Sequence, residues 1–286
     1  MPQETPVADD VMQPRHAISA LATGVTPSAG GIAIRVFDQL DSTNNEARRL
    51  AEAGERGPVW LMTRRQSAGR GRRGRVWQDG EGNLMATLLT NLDLAPLQLS
   101  QLAFVAALSV SDIVSVYAPA GAVRLKWPND LLIEAGKVGG MLIETGAAPD
   151  GGVWIALGIG LNLAAYPGDT ERPATALAAH LKPGLDRAPS PDEVLVQLAE
   201  AFGARLSVWL ADGFAPVRAA WLASAEGIGG PCIARLPGET IGGVAEGLDG
   251  DGALLLRLPD GALRRITAGD VFFGPQDGPG DLVERP

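Results

Sequence analysis

The sequence predicts an α+β protein in two parts, a larger domain of layered helices and strands followed by a small domain of β-strands. Three observations support this fold class. Apolar residues make up 46% of the 286 residues, which is enough for a sizeable core. Segments with helical periodicity alternate with short apolar segments up to about residue 226. Beyond residue 228 the chain changes to short β-like segments separated by glycine.

The larger domain is expected over residues 31–226. Apolar runs predict its strands at 31–37, 58–63, 83–92, 123–127, 131–134, 137–145 and 153–163. Apolar stripes at helical spacing predict its helices at 43–54, 97–117, 191–210 and 214–223. Thr43 and Glu46 have the spacing of a capping box at the start of the first helix, and Gly54 is a natural stop.

The small domain is expected over residues 227–276. Its β-segments are predicted at 232–236, 240–248, 253–258 and 262–266, and Asp-Gly-Asp-Gly at 249–252 indicates a hairpin turn. This pattern favours a small β-barrel. Residues 1–30, rich in Ala, Pro, Ser and Thr, are expected to be a flexible lead-in, and residues 277–286 a tail.

Composition and charge exclude several classes of protein. A net charge of −9 disfavours binding of the whole chain to duplex DNA, because duplex-binding proteins carry a basic face. The single cysteine, Cys232, permits no internal disulfide and no cysteine-based zinc site. His16 and His180 have no metal-ligand neighbours at a useful spacing. The chain has no signal peptide pattern and no long apolar run, so we expect a soluble, cytoplasmic protein without a membrane span.

Basic charge is concentrated in one segment between two predicted strands. Six of the 24 Lys and Arg residues fall between Arg64 and Arg75, and residues 69–77 read Gly-Arg-Gly-Arg-Arg-Gly-Arg-Val-Trp. Glycine lets the backbone approach a ligand closely, and arginine offers a planar, permanently charged fork for carboxylate or phosphate oxygens. Alone, the segment is ambiguous between an arginine-glycine nucleic-acid segment, a solvated loop and an anion clamp. Its position between strands favours the clamp.

Lysine is scarce, and two of the three lysines lie close together. The chain has Lys126, Lys137 and Lys182 against 21 arginines. An ammonium is a compact point charge that a guanidinium does not replace, so this placement suggests contact with an anion, although chance placement also explains it. Lys126 precedes Trp-Pro-Asn-Asp, which is typical of a turn between strands. The chain has neither a P-loop nor a Gly-x-Ser-x-Gly nucleophile elbow, which favours catalysis by positioning and charge stabilisation.

These motifs, taken in order, resemble those of the biotin protein ligase family over roughly residues 33 to 275. The matching stretches are Asp-Ser-Thr-Asn at 41–44, the Gly-Arg segment at 69–77, Lys-Trp-Pro-Asn-Asp at 126–130, Gly-Met-Leu-Ile-Glu at 140–144, Gly-Ile-Gly-Leu-Asn at 158–162, and two C-terminal elements at 247–254 and 268–271. The resemblance implies a mixed β-sheet catalytic domain of the biotin/lipoate ligase type packed with helices, followed by an SH3-like β-barrel.

The resemblance also implies roles for individual residues. The implied biotin-binding residues are Ser42, Thr43, Asn44, Gln66, Arg70, Gly71, Arg72, Lys126, Gly139 and Gly140. The implied nucleotide-binding residues are Arg72, Arg73, Trp77, Lys126, Asn129 and Asn162. The implied catalytic residues are Lys126, Arg70 and Arg72. The sequence identifies no ligands for a metal ion.

The implied reaction uses ATP, biotin and Mg²⁺ to form biotinyl-5′-AMP and then transfers biotin to a lysine of a biotin carboxyl carrier domain, as in acetyl-CoA carboxylase. About 40 residues precede Asp41 and lack a two-helix pattern, so no specific DNA binding is expected. A monomer or a homodimer fits the sequence equally.

Three alternative functions stay open. A lipoate or octanoate ligase shares the implied fold, although the Gly-Arg segment favours biotin. An RNA-binding protein using that segment is disfavoured by the net charge of −9 and the aromatic content of 5%. A biotin-binding sensor without transfer activity has the same sequence pattern.

Overall fold

A computed structural model describes residues 25–27, 31–78, 80–92, 94–149, 151–168, 170 and 173–274. Most of the expected lead-in and all of the expected tail beyond residue 276 lie outside these residues. Val25–Pro27 differ from the expected flexible segment, because they form strand β1, which pairs antiparallel with β2 at the edge of a sheet. The limits 31–226 and 227–276 stay a prediction.

An eight-stranded sheet forms the larger part of the chain. Its strands are β1 (Val25–Pro27), β2 (Ala33–Leu40), β3 (Val59–Gln66), β4 (Leu84–Asn91), β5 (Val123–Lys126), β6 (Asp130–Ile133), β7 (Gly136–Ala147) and β8 (Val153–Leu161). Their order is β1-β2-β3-β4-β8-β7-β6-β5. The pair β2–β3 is parallel and the other six neighbouring pairs are antiparallel, which confirms the predicted mixed sheet.

Helices cover both faces of this sheet. They are α1 (Thr43–Glu52), α2 (Pro96–Tyr117), α3 (Pro191–Asp212) and α4 (Phe214–Ala223), close to the predicted positions. Side chains of a strand alternate between the two faces, and β3 shows the result. Val59 and Leu61 pack in the core on the α1 face, whereas Trp60 and Met62 belong to the larger core with α2, α3 and α4.

The start of α1 is not capped as predicted. Ser42 is the N-cap residue and makes no side-chain capping bond. The backbone N–H of Thr43 donates instead to Gln66 Oε1 at 3.0 Å. Glu46 pairs with Arg49 at 2.7 Å, one turn further along the helix. The capping box is absent because residue 43 faces a cavity at the sheet and finds its partner on β3.

A second sheet of five antiparallel strands follows the helices. Its strands are β9 (Pro231–Leu236), β10 (Glu239–Leu248), β11 (Leu254–Arg257), β12 (Leu263–Ile266) and β13 (Asp270–Phe273). Their order is β12-β11-β10-β9-β13. Among the described residues the pairing does not close into a barrel, because β12 and β13 are the two edges. Strand β13, only four residues long, was not predicted as a strand.

The predicted hairpin turn between β10 and β11 joins the small sheet to the larger domain. Asp249 N–H donates to the Ala253 carbonyl at 2.9 Å, which closes the turn. Gly252 then accepts a hydrogen bond from the indole Nε1 of Trp127 at 3.0 Å. A Cβ on Gly252 would lie 2.8 Å from the ring of Phe104 on α2. The turn therefore packs against Trp127 and Phe104 of the larger domain at a position, residue 252, where only glycine fits.

Helices α2 and α3 are long and apolar enough to cross a membrane by length and composition alone. In α2, 67% of the most apolar 18-residue window is buried inside the molecule. Phe104 of α2 packs edge-on against Phe214 and Trp221, with ring centroids 5.3 and 5.4 Å away. The burial of α2 is that of a core helix, whereas 33% of the corresponding window of α3 is buried.

Candidate functional site

One cavity of about 270 Å³ lies between the β7–β8 surface, the start of α1 and the Gly-Arg segment. Eleven predicted site residues line it, namely Ser42, Thr43, Asn44, Gln66, Arg70, Gly71, Arg72, Trp77, Asn129, Gly140 and Asn162. These residues are up to 120 positions apart along the chain (from Ser42 to Asn162), so the fold brings the separate motifs to a single place.

A buried hydrogen-bond network forms one end of the cavity, which we call the amide end. Thr87 of β4 donates to Asn44 Oδ1 at 2.6 Å and lies 2.8 Å from the hydroxyl oxygen of Thr43. Asn44 Nδ2 donates to Glu144 at 2.7 Å, and Gln66 accepts from the Thr43 backbone. Polar groups that are fixed in this way offer hydrogen bonds with a defined direction to a polar ligand.

Two glycines of β8 make room for side chains that line the cavity. A Cβ on Gly158 would lie 2.3 Å from Asn44 Oδ1, and a Cβ on Gly160 would lie 2.4 Å from Cε2 of Trp77. Real Cβ atoms do not approach other atoms so closely. Gly158 therefore leaves space for Asn44 at the amide end, and Gly160 leaves space for Trp77 at the opposite end. We call this opposite end, which Trp77 forms, the indole end.

Trp77 lies flat over the glycine strands at the indole end. Its indole Nε1 is buried and has no hydrogen-bond partner among the described residues. The ammonium of Lys137 lies 5.8 Å from the centroid of the Trp77 ring. An aromatic ring with a cation beside it can hold a planar aromatic group that carries a negatively charged substituent.

Three cations of the site differ in how their charge is balanced. Arg70 pairs with Glu144 at 3.0 Å, and Lys137 pairs with Asp130 at 2.6 Å. Among the described residues, Arg72 donates to the neutral Oδ1 of Asn129, at 3.2 Å, and to no carboxylate. Burial lowers the pKa of the Arg72 guanidinium, although Asp270 and Asp130 act in the opposite direction. A guanidinium stays charged in proteins, so Arg72 is a partly buried cation suited to an incoming anion.

Lys126, unlike Lys137, is not among the residues that line the cavity. Its roles in binding and catalysis stay a prediction. Its ammonium lies 5.8 and 6.0 Å from the ring centroids of Phe272 and Phe273 on β13. Burial raises the pKa of the nearby Cys232 thiol to about 11, and the charge of Lys126 acts against this rise. Lys126 therefore faces the small sheet.

Arg73 and Gly139 also lie away from the cavity wall. Arg73 has a left-handed backbone (φ 57°) and pairs with Asp270 of β13 at 3.0 Å. Arg75 pairs with the same carboxylate at 2.6 Å. Gly139 is paired with Leu161 inside the sheet, and a Cβ on it would meet the Leu161 side chain at 3.0 Å. Two arginines of the Gly-Arg segment thus hold the small sheet.

Four charged residues of the cavity wall were not predicted as site residues. They are Arg75, Lys137, Asp130 and Asp270. The scarcity of lysine pointed equally to Lys126 and Lys137, and the sequence-based assignment selected Lys126. Asp270 gave no signal beyond its place in the Ala-Gly-Asp-Val element.

The described residues contain no group of three His, Cys, Asp or Glu side chains that could hold a metal ion. The two aspartates of the cavity wall, Asp130 and Asp270, are both paired with cations. A resident metal site built from protein carboxylates therefore finds no support in this part of the chain.

Comparisons with known proteins agree with this geometry. Residues 36–162 match the Biotin/lipoate A/B protein ligase family, and residues 227–274 match the Biotin protein ligase C terminal domain. The chain is 42% identical over 241 residues to a biotin–[acetyl-CoA-carboxylase] ligase of Paracoccus denitrificans, covering 82% of this chain and 98% of that protein. It is 31% identical over 262 residues to the bifunctional ligase/repressor BirA of Bacillus subtilis, covering 90% and 78%.

Solved structures are similar over the same region. The biotin protein ligase of Aquifex aeolicus in complex with biotin and ATP has a TM-score of 0.72 at 26% identity, covering 84% of this chain and 99% of that chain. The Leishmania major enzyme in complex with biotinyl-5-AMP has a TM-score of 0.55 at 27% identity, covering 82% and 98%. Similarity over both sheets and almost the full length of the Paracoccus relative shows that this chain belongs to the biotin protein ligase family.

Proposed function

We propose that the protein is an ATP-dependent biotin protein ligase that forms biotinyl-5′-AMP and transfers biotin to a lysine of a biotin carboxyl carrier domain. One observation carries the proposal. A single cavity has an amide end, an indole end and, along its wall, several cations that include Arg72 and Lys137. The relative from Aquifex aeolicus was solved with biotin and ATP, which are ligands of matching chemistry.

The amide end suits the ureido ring of biotin. The residues that we assign to it are Ser42, Thr43, Asn44, Gln66, Arg70 and Gly71. The indole end suits the adenine ring, and the residues that we assign to it are Trp77, Asn129 and Asn162. Gly140 leaves space for the ammonium of Lys137, since a Cβ there would lie 3.2 Å from Nζ.

In the first step a biotin carboxylate oxygen attacks the α-phosphorus of ATP, and pyrophosphate leaves with the electron pair of the broken P–O bond. Two anions must meet, so the site has to stabilise negative charge in the transition state. We assign the stabilisation of this charge to Arg72 and Lys137, because both line the cavity. We assign to Lys137 the role that the sequence suggested for Lys126, because Lys137 lines the cavity and Lys126 does not.

Mg²⁺ is assigned to the substrate, as the complex with ATP. Mg²⁺ commonly binds through substrate phosphates and only one or two carboxylates. In the second step the neutral ε-amine of a carrier lysine attacks the acyl carbonyl, AMP leaves and the amine loses a proton. The carrier is the biotin carboxyl carrier domain of acetyl-CoA carboxylase or a related carboxylase, and the reaction takes place in the cytoplasm.

A two-stage assay tests the proposal. Purified protein with ATP and Mg²⁺ should release pyrophosphate only when biotin is present, and labelled biotin should then appear on a carrier domain. A parallel assay with lipoate should release none. Pyrophosphate release with lipoate but not biotin would show a lipoate ligase, and adenylate formation without transfer would show a sensor.

We expect the Arg72→Ala variant to lose biotinyl-5′-AMP about tenfold faster than the unchanged protein. The guanidinium is a partly buried cation without an ionic partner within hydrogen-bond distance in the described part of the chain, so its attraction to the adenylate phosphate should be stronger than that of a surface arginine. The dissociation rate of preformed adenylate measures this. Arg64→Ala is the matched control, because Arg64 makes an exposed pair with Asp192. Equal retention by both variants would contradict this role of Arg72.

We expect the Asp270→Asn variant to raise the KM for ATP by about three- to tenfold, roughly the loss of one partly exposed ionic contact. The change keeps the shape of the side chain but removes the charge that holds Arg73 and Arg75. Initial rates of pyrophosphate release at varied ATP measure the effect. Glu239→Gln is the control, since it removes the carboxylate partner of Arg264 elsewhere in the small domain. An unchanged KM for ATP in Asp270→Asn would show that the ion pairs of Asp270 with Arg73 and Arg75 do not contribute to ATP binding.

A further inference from the structure

A second segment of the chain forms part of the wall at the indole end, directly after β8. Pro167, Thr170 and Ala174 contribute to this wall. Its far end is fixed by the strand that carries Lys137, since Lys137 N–H donates to the Pro173 carbonyl at 2.8 Å and Thr175 N–H donates to the Lys137 carbonyl at 3.0 Å. The near end is held by backbone hydrogen bonds at Asn162 and Leu163, whose carbonyls accept from Leu177 and Ala178 at 2.9 Å, and in addition by a side chain.

That side chain is Asn83, which comes just before β4 and is 4% exposed. Its Oδ1 accepts hydrogen bonds from three consecutive backbone N–H groups, those of Leu163 (3.0 Å), Ala164 (3.0 Å) and Ala165 (3.1 Å). Its Nδ2 donates to the Ala165 carbonyl at 2.8 Å. One amide thus fixes the backbone of residues 163–165, which we call the wall start.

Two glycines, Gly80 and Gly82, leave the space that the Asn83 amide and the wall start occupy. A Cβ on Gly80 would lie 2.5 Å from Asn83 Nδ2, and a Cβ on Gly82 would lie 2.9 Å from Cβ of Ala164. Asn83 N–H donates to the Gly80 carbonyl at 3.1 Å, which closes a turn. This turn follows Trp77 by only a few residues. It therefore connects the indole to the wall start.

We propose that Asn83 is a positioning residue for the nucleotide, which holds the wall start against the turn that follows Trp77 and so sets the width of the indole end. This inference rests on the proposed function, because it assigns the indole end to ATP. Asn83 is not among the residues lining the cavity, so it acts through residues 163–165. The amide end, which lies beside Gly158, keeps its own network.

The test compares Asn83→Ala, Asn83→Asp and the control Asn91→Ala, which changes an asparagine at the opposite end of β4. The affinity for biotin is measured by calorimetry without ATP, the KM for ATP by pyrophosphate release, and folding by thermal unfolding. We expect Asn83→Ala to raise the KM for ATP about tenfold while the Kd for biotin stays within about twofold. Asn91→Ala should leave both constants within about twofold.

Asn83→Asp separates positioning from general loosening. Its carboxylate can still accept from three N–H groups, although its second oxygen then faces the Ala165 carbonyl. We expect the rise of the KM for ATP in Asn83→Asp to be at most half of the rise in Asn83→Ala. If the alanine variant does not fold, the KM of Asn83→Asp is compared directly with that of the unchanged protein. An unchanged KM for ATP in folded Asn83→Ala, or an equal rise of both constants, would overturn the inference. Absence of biotin-dependent pyrophosphate release in the unchanged protein would instead contradict the proposed function.

Discussion

The Lys137→Met variant is expected to form biotinyl-5′-AMP at least about 100-fold more slowly than the unchanged protein, a loss typical of removing a group that stabilises transition-state charge. Methionine nearly keeps the length of the side chain but removes the charge that lies in the cavity wall. It also deprives Asp130, which is 8% exposed, of the ammonium at 2.6 Å. A carboxylate without that partner would repel both biotin and ATP.

Single-turnover formation of the adenylate measures this loss directly. Lys126→Met is the matched control, because its ammonium lies among Phe272 and Phe273 rather than in the cavity wall. We expect it to slow the step less than about tenfold. The double change Lys137→Met with Asp130→Asn should recover part of the rate, since it removes the carboxylate that had paired with Lys137. A larger effect of Lys126→Met than of Lys137→Met would restore the original assignment.

The second large effect is expected from two alanine substitutions on one strand. Gly158 and Gly160 lie two residues apart on β8, so added Cβ atoms would point to the same face. At Gly158 the new atom would displace Asn44 from its network with Thr87 and Glu144. At Gly160 it would displace the Trp77 indole, which is rigid and cannot yield as a flexible side chain does.

The two variants should therefore separate the two substrates. We expect Gly158→Ala to weaken biotin binding at least about tenfold with little change in the KM for ATP, and Gly160→Ala to have the opposite pattern. Calorimetry with biotin and initial rates at varied ATP provide the two constants. Each variant is the control for the other, because both add one methyl group to the same strand. Parallel losses of both affinities would contradict the separation into two ends.

Local pattern was sufficient for most of the fold. Apolar alternation and helical spacing placed seven of the eight strands of the large sheet, all except β1, and the helices α1 to α4 within a few residues, because burial of one face dictates both patterns. The start of α1 was mispredicted for a reason that lies elsewhere in the chain. The partner of the Thr43 backbone is Gln66 of β3, and no local rule connects these two positions.

The position of Lys137 could not be derived from strand alternation. Alternation from Gly140, which lines the cavity, would place residues 138 and 136 on the same face and Lys137 on the opposite one. The pairing of β6 with β7 contains an irregularity at Leu131 and Leu132, where Lys137 pairs with Leu132 and Gly139 with Leu131. An extra residue in one strand turns the preceding side chains to the other face. Such a bulge depends on the register between β6 and β7, which the sequence pattern of either strand alone does not predict.

The role of Asp270 was hidden for a similar reason, since its partners precede it by 195 and 197 residues. Because Arg73 and Arg75 share this one carboxylate, part of the charge balance of the Gly-Arg segment comes from outside the domain that contains the segment. Two regions that match separate domain families therefore depend on each other for these ion pairs. A substitution that removes the carboxylate of Asp270 in one region changes the electrostatic surroundings of Arg73 and Arg75 in the other.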